Sequence, residues 1–248
     1  MSPDIRTGPG TGPRTGARSV GESLDNPVWA ALTGPHRGFA ETGPAGLAAR
    51  YQGGTTPFAA LRDPGDPLAW ADLAALAGPG EVVWVTGLPV PPEGWRTEVS
   101  IPGVQLDGRA VRAEAAPGAV RLGPADVPQM LELVDLAKPG PFMDRTVELG
   151  TYLGIRHEGR LVAMAGERMR PTGWAEISAV CTHPDHRGRG LAGQLIRAVA
   201  AESRARGDHP FLHAAAENTG AVRLYEAMGF TLRRRPFFLG LRTPDKKA

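Results

Sequence analysis

From Pro124 to the C-terminus the apolar positions keep two clear periods. Val127, Met130, Leu131 and Val134 recur at i, i+3, i+4 and i+7, and Leu133 widens that stripe, which predicts an amphipathic helix over 124–137. Leu191, Leu195 and Val199, with Ala192, Ile196 and Ala200 beside them, repeat every four residues and predict a second helix over 191–205. A third helix is expected over 219–228, ended by Gly229. Runs rich in β-branched and other apolar residues predict strands over 119–122, 152–156, 161–168, 175–182, 211–214, 230–233 and 237–241, with a turn at Glu158-Gly159. The order β-α-β-β-β-α-β-α-β-β makes an α/β layer with a mixed, largely antiparallel sheet flanked by helices.

The first half is less regular. Residues 1–24 carry turn and linker chemistry with nothing to bury, and read as a flexible tail. The chain becomes globular at Asn26, which is placed to cap a short helix whose first residue is Pro27. A helical turn over 46–51, a helix over 68–76 stopped by Gly78-Pro79-Gly80, a buried strand over 81–86 and short strands within 95–113 follow. The expected division is therefore a tail (1–24), a smaller α/β segment (25–117) and the patterned domain (118–248).

Composition narrows the classes of function. The 248 residues include 33 Gly and 24 Pro, about double the usual share and concentrated in the first half, yet 42% are hydrophobic, enough for a sizeable core. No run is long and apolar enough to span a bilayer, and Met1–Gly21 has no apolar signal-peptide core, so a cytoplasmic protein without membrane contact is expected. One cysteine, Cys181, excludes an internal disulfide framework and a cysteine-rich zinc site. Net charge is only +2, against a nucleic-acid binder with a broad basic face. Residues 1–117 carry nine basic and twelve acidic groups, and the remainder nineteen and fourteen, which suits a small anionic ligand in the second half.

The segment that carries chemistry runs from Glu176 to Gly193 as strand, tight loop and helix start. Gly188 and Gly190 let the backbone turn freely and approach a ligand. The first N–H groups of the following helix have no internal acceptors, and with the helix dipole they make a phosphate cradle that Arg187 and Arg189 can reinforce. Gly188-Arg-Gly190-Leu-Ala-Gly193 also fits the G-x-G-x-x-G dinucleotide fingerprint, with Glu217 as a ribose-binding acid. Against that, five residues separate the strand from the first glycine, and the preceding strands form hairpins rather than crossovers. An Arg/Gly-rich solvated turn is the bland alternative.

Arg187-x-x-Gly190-x-Ala192 resembles the acyl-coenzyme A signature Q/R-x-x-G-x-G/A of the GNAT superfamily of N-acetyltransferases. Downstream, Asn218-Thr-Gly-Ala221-Val-Arg-Leu-Tyr225-Glu-Ala-Met-Gly229-Phe230 resembles that family's N-x-x-A-x-x-L-Y-x-x-x-G-F motif. The resemblance covers about 118–242 and is nearest the branch related to glycine N-acyltransferases. It implies a GNAT sheet, with residues 25–117 a degenerate GNAT-like copy that has no phosphate loop. It also implies acetyl-coenzyme A as co-substrate, no metal, and an acceptor that is a small-molecule or peptide amine. Backbone groups of Val180, Cys181 and Thr182 would hold the pantetheine arm and thioester carbonyl. Arg187, Gly188, Arg189, Gly190, Leu191, Ala192 and Gly193 would hold the pyrophosphate, and Asn218 would contact the pantetheine arm. A GNAT-like fold that only senses acyl-coenzyme A is the non-enzyme alternative.

Aminolysis of a thioester needs a neutral amine and a proton for the leaving thiolate. Family members with a tyrosine acid place it where Tyr225 stands; against this, the ring could simply pack beside Val222. Members with a glutamate base place it where Glu176 stands; against this, it could be a strand residue paired with an arginine. Glu167 is a weaker candidate for acceptor binding. A Cys181 nucleophile paired with His183 or His213 is rejected, because a lone strand cysteine is a small hydrophobe. A metal site from Cys181, His183 and His186 is rejected because the spacing fits no zinc pattern. The acceptor pocket is expected from the loops at 138–147 and 169–174, with residues 25–117 shaping the acceptor side.

Overall fold

Local signals start most elements where the sequence predicts them, but long-range pairing decides the architecture. In the computed structural model, residues 22–87 and 89–245 are described. The expected tail lies almost wholly outside them. Asn26 accepts a hydrogen bond from Trp29 N–H (3.4 Å) and opens α1 (Pro27–Leu32) with Pro27 in its first turn. Then come β1 (Ala40–Thr42), β2 (Ala48–Tyr51), β3 (Phe58–Leu61), α2 (Pro67–Ala77), β4 (Val82–Gly87) and β5 (Arg96–Asp107). The second half adds β6 (Val120–Arg121), α3 (Val127–Ala137), β7 (Tyr152–His157), β8 (Arg160–Glu167), β9 (Trp174–Thr182), α4 (Leu191–Ala205), β10 (His209–Ala215), α5 (Thr219–Ala227), β11 (Thr231–Arg234) and β12 (Phe237–Arg242).

Two expectations in the first half are corrected. The stretch 46–51, read as a helical turn, is a bend leading into β2 (Ala48–Tyr51), because the Asp72 carboxylate takes the N–H groups of Ala45 (2.6 Å), Leu47 (2.7 Å) and Ala48 (2.8 Å) and sets the chain down beside β3. The short strands expected within 95–113 are one twelve-residue strand, β5, which runs through Pro102 and Gly103.

The described strands form one sheet in the order β1-β2-β3-β4-β12-β5-β10-β9-β8-β7-β6, with β11 paired to β5. The boundary read at residue 117 falls in a loop, but strands cross it in both directions. β5 pairs antiparallel with β10, and β12 slots between β4 and β5. The sheet is antiparallel except at β3–β4 and β9–β10. Each of those parallel pairs is bridged by a helix, α2 or α4, so the two halves repeat one β-α-β unit.

Apolar faces bury on both sides of the sheet. Leu195, Ile196 and Val199 of α4 pack with Ile177, Leu212 and Phe230 on one side, while Met130 and Leu133 of α3 pack on Met164 and Tyr152 on the other. Each such side chain contributes about 1.5–3 kcal/mol on burial. Glu167 spans the core edge, taking Ser203 Oγ–H (2.6 Å), Thr151 N–H (2.9 Å) and the Arg206 guanidinium. Its carboxylate thus ties α4 to β8 and does not face a cleft, so the acceptor-binding reading of Glu167 is corrected.

Candidate active site

The sheet opens between β9 and β10. They pair only at Trp174–Glu176 with His209–Phe211, and beyond those residues they part. A β-bulge deepens the opening: Ala179 and Val180 stand opposite the single residue Ala165, and Ala179 takes φ +51°. A bulge leaves its extra residue outside the ladder, so backbone polar groups there are free to meet a ligand. The resulting cleft has a volume of ≈ 300 Å³. Ile177–Val180 form one wall, and His213–Ala215, Asn218, Ala221 and Tyr225 the other.

A Gly-rich loop follows the β9 wall. Gly188 and Gly190 sit at φ +74° and +75°, with open space where a Cβ would stand. The first helical bond of α4 runs from Gln194 N–H to Gly190 O (3.0 Å), and the N–H groups of Gly188, Arg189 and Gly190 donate to no group among the described residues. Arg187 and Arg189 are exposed and make only long contacts, with Thr182 O and Asp185 O, each 3.4 Å. Leu191 and Ala192 are half-buried and Gly193 is buried at the α4 start. This open, donor-rich, cationic turn fits a pyrophosphate. Thr182 lies two positions after cleft-lining Val180, and its Oγ1 is buried without a partner among the described residues. Cys181 faces the opposite way, into the core under α3, where burial pushes its thiol up to about 12.

On the facing wall, Asn218 caps α5, its Oδ1 accepting from Ala221 N–H (3.2 Å), and lines the cleft. Tyr225, two turns on, packs its ring edge-on against Phe230 (centroids 5.9 Å apart) and lines the cleft. Burial pushes its phenol up to about 12, so it carries its proton at neutral pH.

Glu176 lies behind the cleft wall. It is fully buried and takes both Nε (2.9 Å) and an NH2 group (2.7 Å) of Arg168, and its Oε1 also faces His213 Nδ1 at 2.8 Å. Burial alone would raise its pKa; Arg168 and the His213 bond overcome that and hold it at about 2. Gln105 fixes the tautomer of His213. Its Oε1 accepts from Arg233 (2.8 Å) and its Nε2 donates to Leu24 O (2.9 Å), so that same NH2 meets His213 Nε2 at 3.1 Å. Nε2 is therefore the acceptor, and Nδ1–H donates to Glu176. His183 and His186 cluster with His157 on the surface, ring centroids 5.0–5.8 Å apart. Among the described residues no group of three or more His, Cys, Asp or Glu side chains is placed to hold a metal ion.

The whole architecture has a close relative of known structure. A crystal structure from Novosphingobium aromaticivorans, assigned to the GNAT family of acetyltransferases, superposes with a TM-score of 0.79 at 42% identity, over 90% of this chain and 99% of that one. The chain belongs to the GNAT family. The FR47-like protein family matches residues 152–239, which hold β9, the loop and Tyr225. Mycothiol acetyltransferase of Thermobispora bispora is 35% identical over 155 residues, 59% of this chain; the chain spans half the length of that relative. A GCN5-related N-acetyltransferase from Kribbella flavida shares the fold at 17% identity, with a TM-score of 0.60 over 90% of this chain and 96% of that one. None of these matches carries the narrower placement beside the glycine N-acyltransferases.

In this GNAT chain the structure brings Val180, Asn218 and Tyr225 to one cleft, with the Arg187–Gly193 loop following its β9 wall. It leaves the Cys181 side chain and the Glu176 carboxylate behind the cleft surface. Sequence reasoning missed Arg168 and the cleft role of His213, and it missed the wall built by Phe58, Trp84 and Ile101 of the first half with Phe238. A lone histidine on an apolar strand gives no local signal for such a role. Of the two loops expected at the acceptor side, Lys138–Pro141 lines the cleft, while 169–174 does not.

Proposed function

We propose that the chain is an N-acetyltransferase that moves an acetyl group from acetyl-coenzyme A to a primary amine by direct attack in a ternary complex. The observation that carries this is the parting of β9 from β10, with an open N–H loop after one strand and a protonated, cleft-lining phenol on the helix after the other. The Gly188–Gly190 loop with Arg187 and Arg189 holds the pyrophosphate, and Val180, Thr182 and Asn218 hold the pantetheine arm. Residues of both halves wall the cleft and limit water, which strengthens polar contacts with the reacting carbonyl.

Glu176 contributes through His213. A buried carboxylate held at about 2 is too weak a base to take an ammonium proton, but it fixes the imidazole ring of cleft-lining His213. His213 Nε2 takes the amine's proton as the nitrogen attacks the acyl carbon. Tyr225 gives its proton to the sulfur as the C–S bond breaks.

The cofactor assignment is tested by thermal unfolding. A ligand at ~100 times its dissociation constant adds about 2.7 kcal/mol, so acetyl-coenzyme A should raise the Tm by several degrees. Gly190→Trp fills the open space before the loop at the cost of one left-handed residue, about 1–2 kcal/mol, and should fold yet show no shift. A shift with NAD and none with any acyl-coenzyme A would refute the reading.

A further inference from the structure

A second, larger cavity of ≈ 470 Å³ adjoins the acyl-transfer cleft, and the two share one lining residue, His213. It sits where β3 and β4 part. Those strands pair only at Phe58–Trp84 and Ala59–Val85, and the cavity is lined by Val85 and by the residues that follow the pairing, Ala60–Pro64 and Thr86–Gly87. It is thus the first half's counterpart of the acyl-transfer cleft, but its loop does not suit a pyrophosphate. Asp66 takes Leu68 N–H (2.9 Å) and Asp63 takes Gly65 N–H (2.8 Å), so carboxylates occupy the donors that a phosphate would need.

The other wall is cationic. Arg62, Arg234 and Arg235 line the cavity against Asp25 and Asp63. Asp25 is already engaged by Arg233 (2.6 Å) and Arg234 (3.1 Å). Arg62 and Arg235 are exposed and have no ion-pair partner among the described residues. The floor is polar and holds Gln105, whose amide marks the direction in which His213 Nε2 points. The ring itself is buried, packed on Phe211 and Phe238, and its acceptor nitrogen lies directly behind the cavity-lining Gln105 amide, while the same residue lines the acyl-transfer cleft.

We propose that this cavity binds the acceptor, and that the acceptor is a primary amine bearing an anionic group, a carboxylate or a phosphate. The assignment rests on the acetyltransferase reading and extends it. The anion pairs with Arg62 and Arg235. The amine reaches inward to His213, displaces the Gln105 amide from Nε2 and gives that nitrogen a proton. Its own nitrogen bonds to the acyl carbon presented from the other cavity, the C–S bond breaks, and the thiolate takes the Tyr225 proton.

The test uses the full chain, acetyl-coenzyme A and matched acceptors: an α-amino acid with its amide, and an aminoalkyl phosphate with its amino alcohol. The anionic member of one pair should have a KM about ten- to a hundredfold lower than its neutral partner, and which pair shows this separates carboxylate from phosphate. Arg62→Ala/Arg235→Ala should erase that preference. Thr86→Trp, which fills the cavity, should raise the KM of every acceptor while the acetyl-coenzyme A shift in Tm persists. Equal KM values within both pairs, a preference that survives the double variant, or no transfer to any panel member while acetyl-coenzyme A still raises the Tm would overturn the assignment. Loss of the acetyl-coenzyme A shift in the wild-type protein would instead bring down the acetyltransferase reading, and this assignment with it.

Discussion

Replacing Tyr225 by Phe removes one oxygen and leaves the ring where it packs. The side chain is 8% exposed and sits with Phe230 in the core beneath α4, so the substitution opens no cavity. Its hydroxyl has no hydrogen-bond partner among the described residues, so no protein group loses a bond. The stability change should stay below about 1 kcal/mol, and for a chain of this size that moves the Tm by no more than about 2–4 °C. Turnover should behave differently. A positioned acid contributes ~10²–10⁴-fold, or about 3–5 kcal/mol of barrier at 1.36 kcal/mol per tenfold. Because burial keeps the phenol protonated up to about 12, the deficit should be uniform from mildly acidic to mildly alkaline pH. Following free-thiol release with a chromogenic disulfide, alongside the acetyl-coenzyme A shift in Tm, separates chemistry from binding. Wild-type turnover in Tyr225→Phe, or a collapsed Tm with turnover intact, would show that the hydroxyl is not the acid.

Glu176→Gln removes the counter-charge of the buried Arg168 guanidinium, so unfolding free energy at neutral pH should fall by about 3–5 kcal/mol, measured by urea titration. The native carboxyl lies at about 2 against 4.5 unfolded, so its stabilisation is complete above 4.5 and fades as pH falls toward 2; the variant should lack that acid-dependent loss. His36 is the other buried switch, bonded through Nδ1 to Tyr51 Oη (2.9 Å) and held neutral, chiefly by burial, with its pKa lowered from 6.5 to about 4. The unfolded chain binds that proton first, so stability should drop as pH falls from 6.5 to 4, by up to about 1.4 kcal/mol per unit, and His36→Phe should flatten the slope.

Helix limits were legible because caps and stripes are local. Asn26 and Pro27 mark the start of α1, and the four-residue repeat from Leu191 sets α4 at Leu191–Ala205. The phosphate loop was legible for the same reason, since two glycines and two arginines sit within four residues. Pairing was not. Nothing local in Phe237–Leu241 shows that it inserts between β4 and β5, and β3, with four consecutive buried residues, has no alternation to read. Gly46–Tyr51 has the alanine and leucine content of a helix and becomes a strand only because Asp72, more than twenty residues away, claims its N–H groups. The bulge at Ala179 places an alanine at positive φ, which composition does not announce. Glu176 could be singled out by position, but its partners, Arg168 just after β8 and His213 on β10, show only in three dimensions.

The central claim is chemical transfer to an amine, and incubation with acetyl-coenzyme A labelled in the acetyl group tests it most directly. The purified protein is supplied with the labelled thioester and a metabolite extract, and small molecules are followed by mass spectrometry. The account predicts that the label accumulates in an N-acetylated amine in step with free coenzyme A, and that Tyr225→Phe slows both by ~10²–10⁴-fold. Label found only as free acetate, or an amine acetylated as fast without the protein, would contradict it.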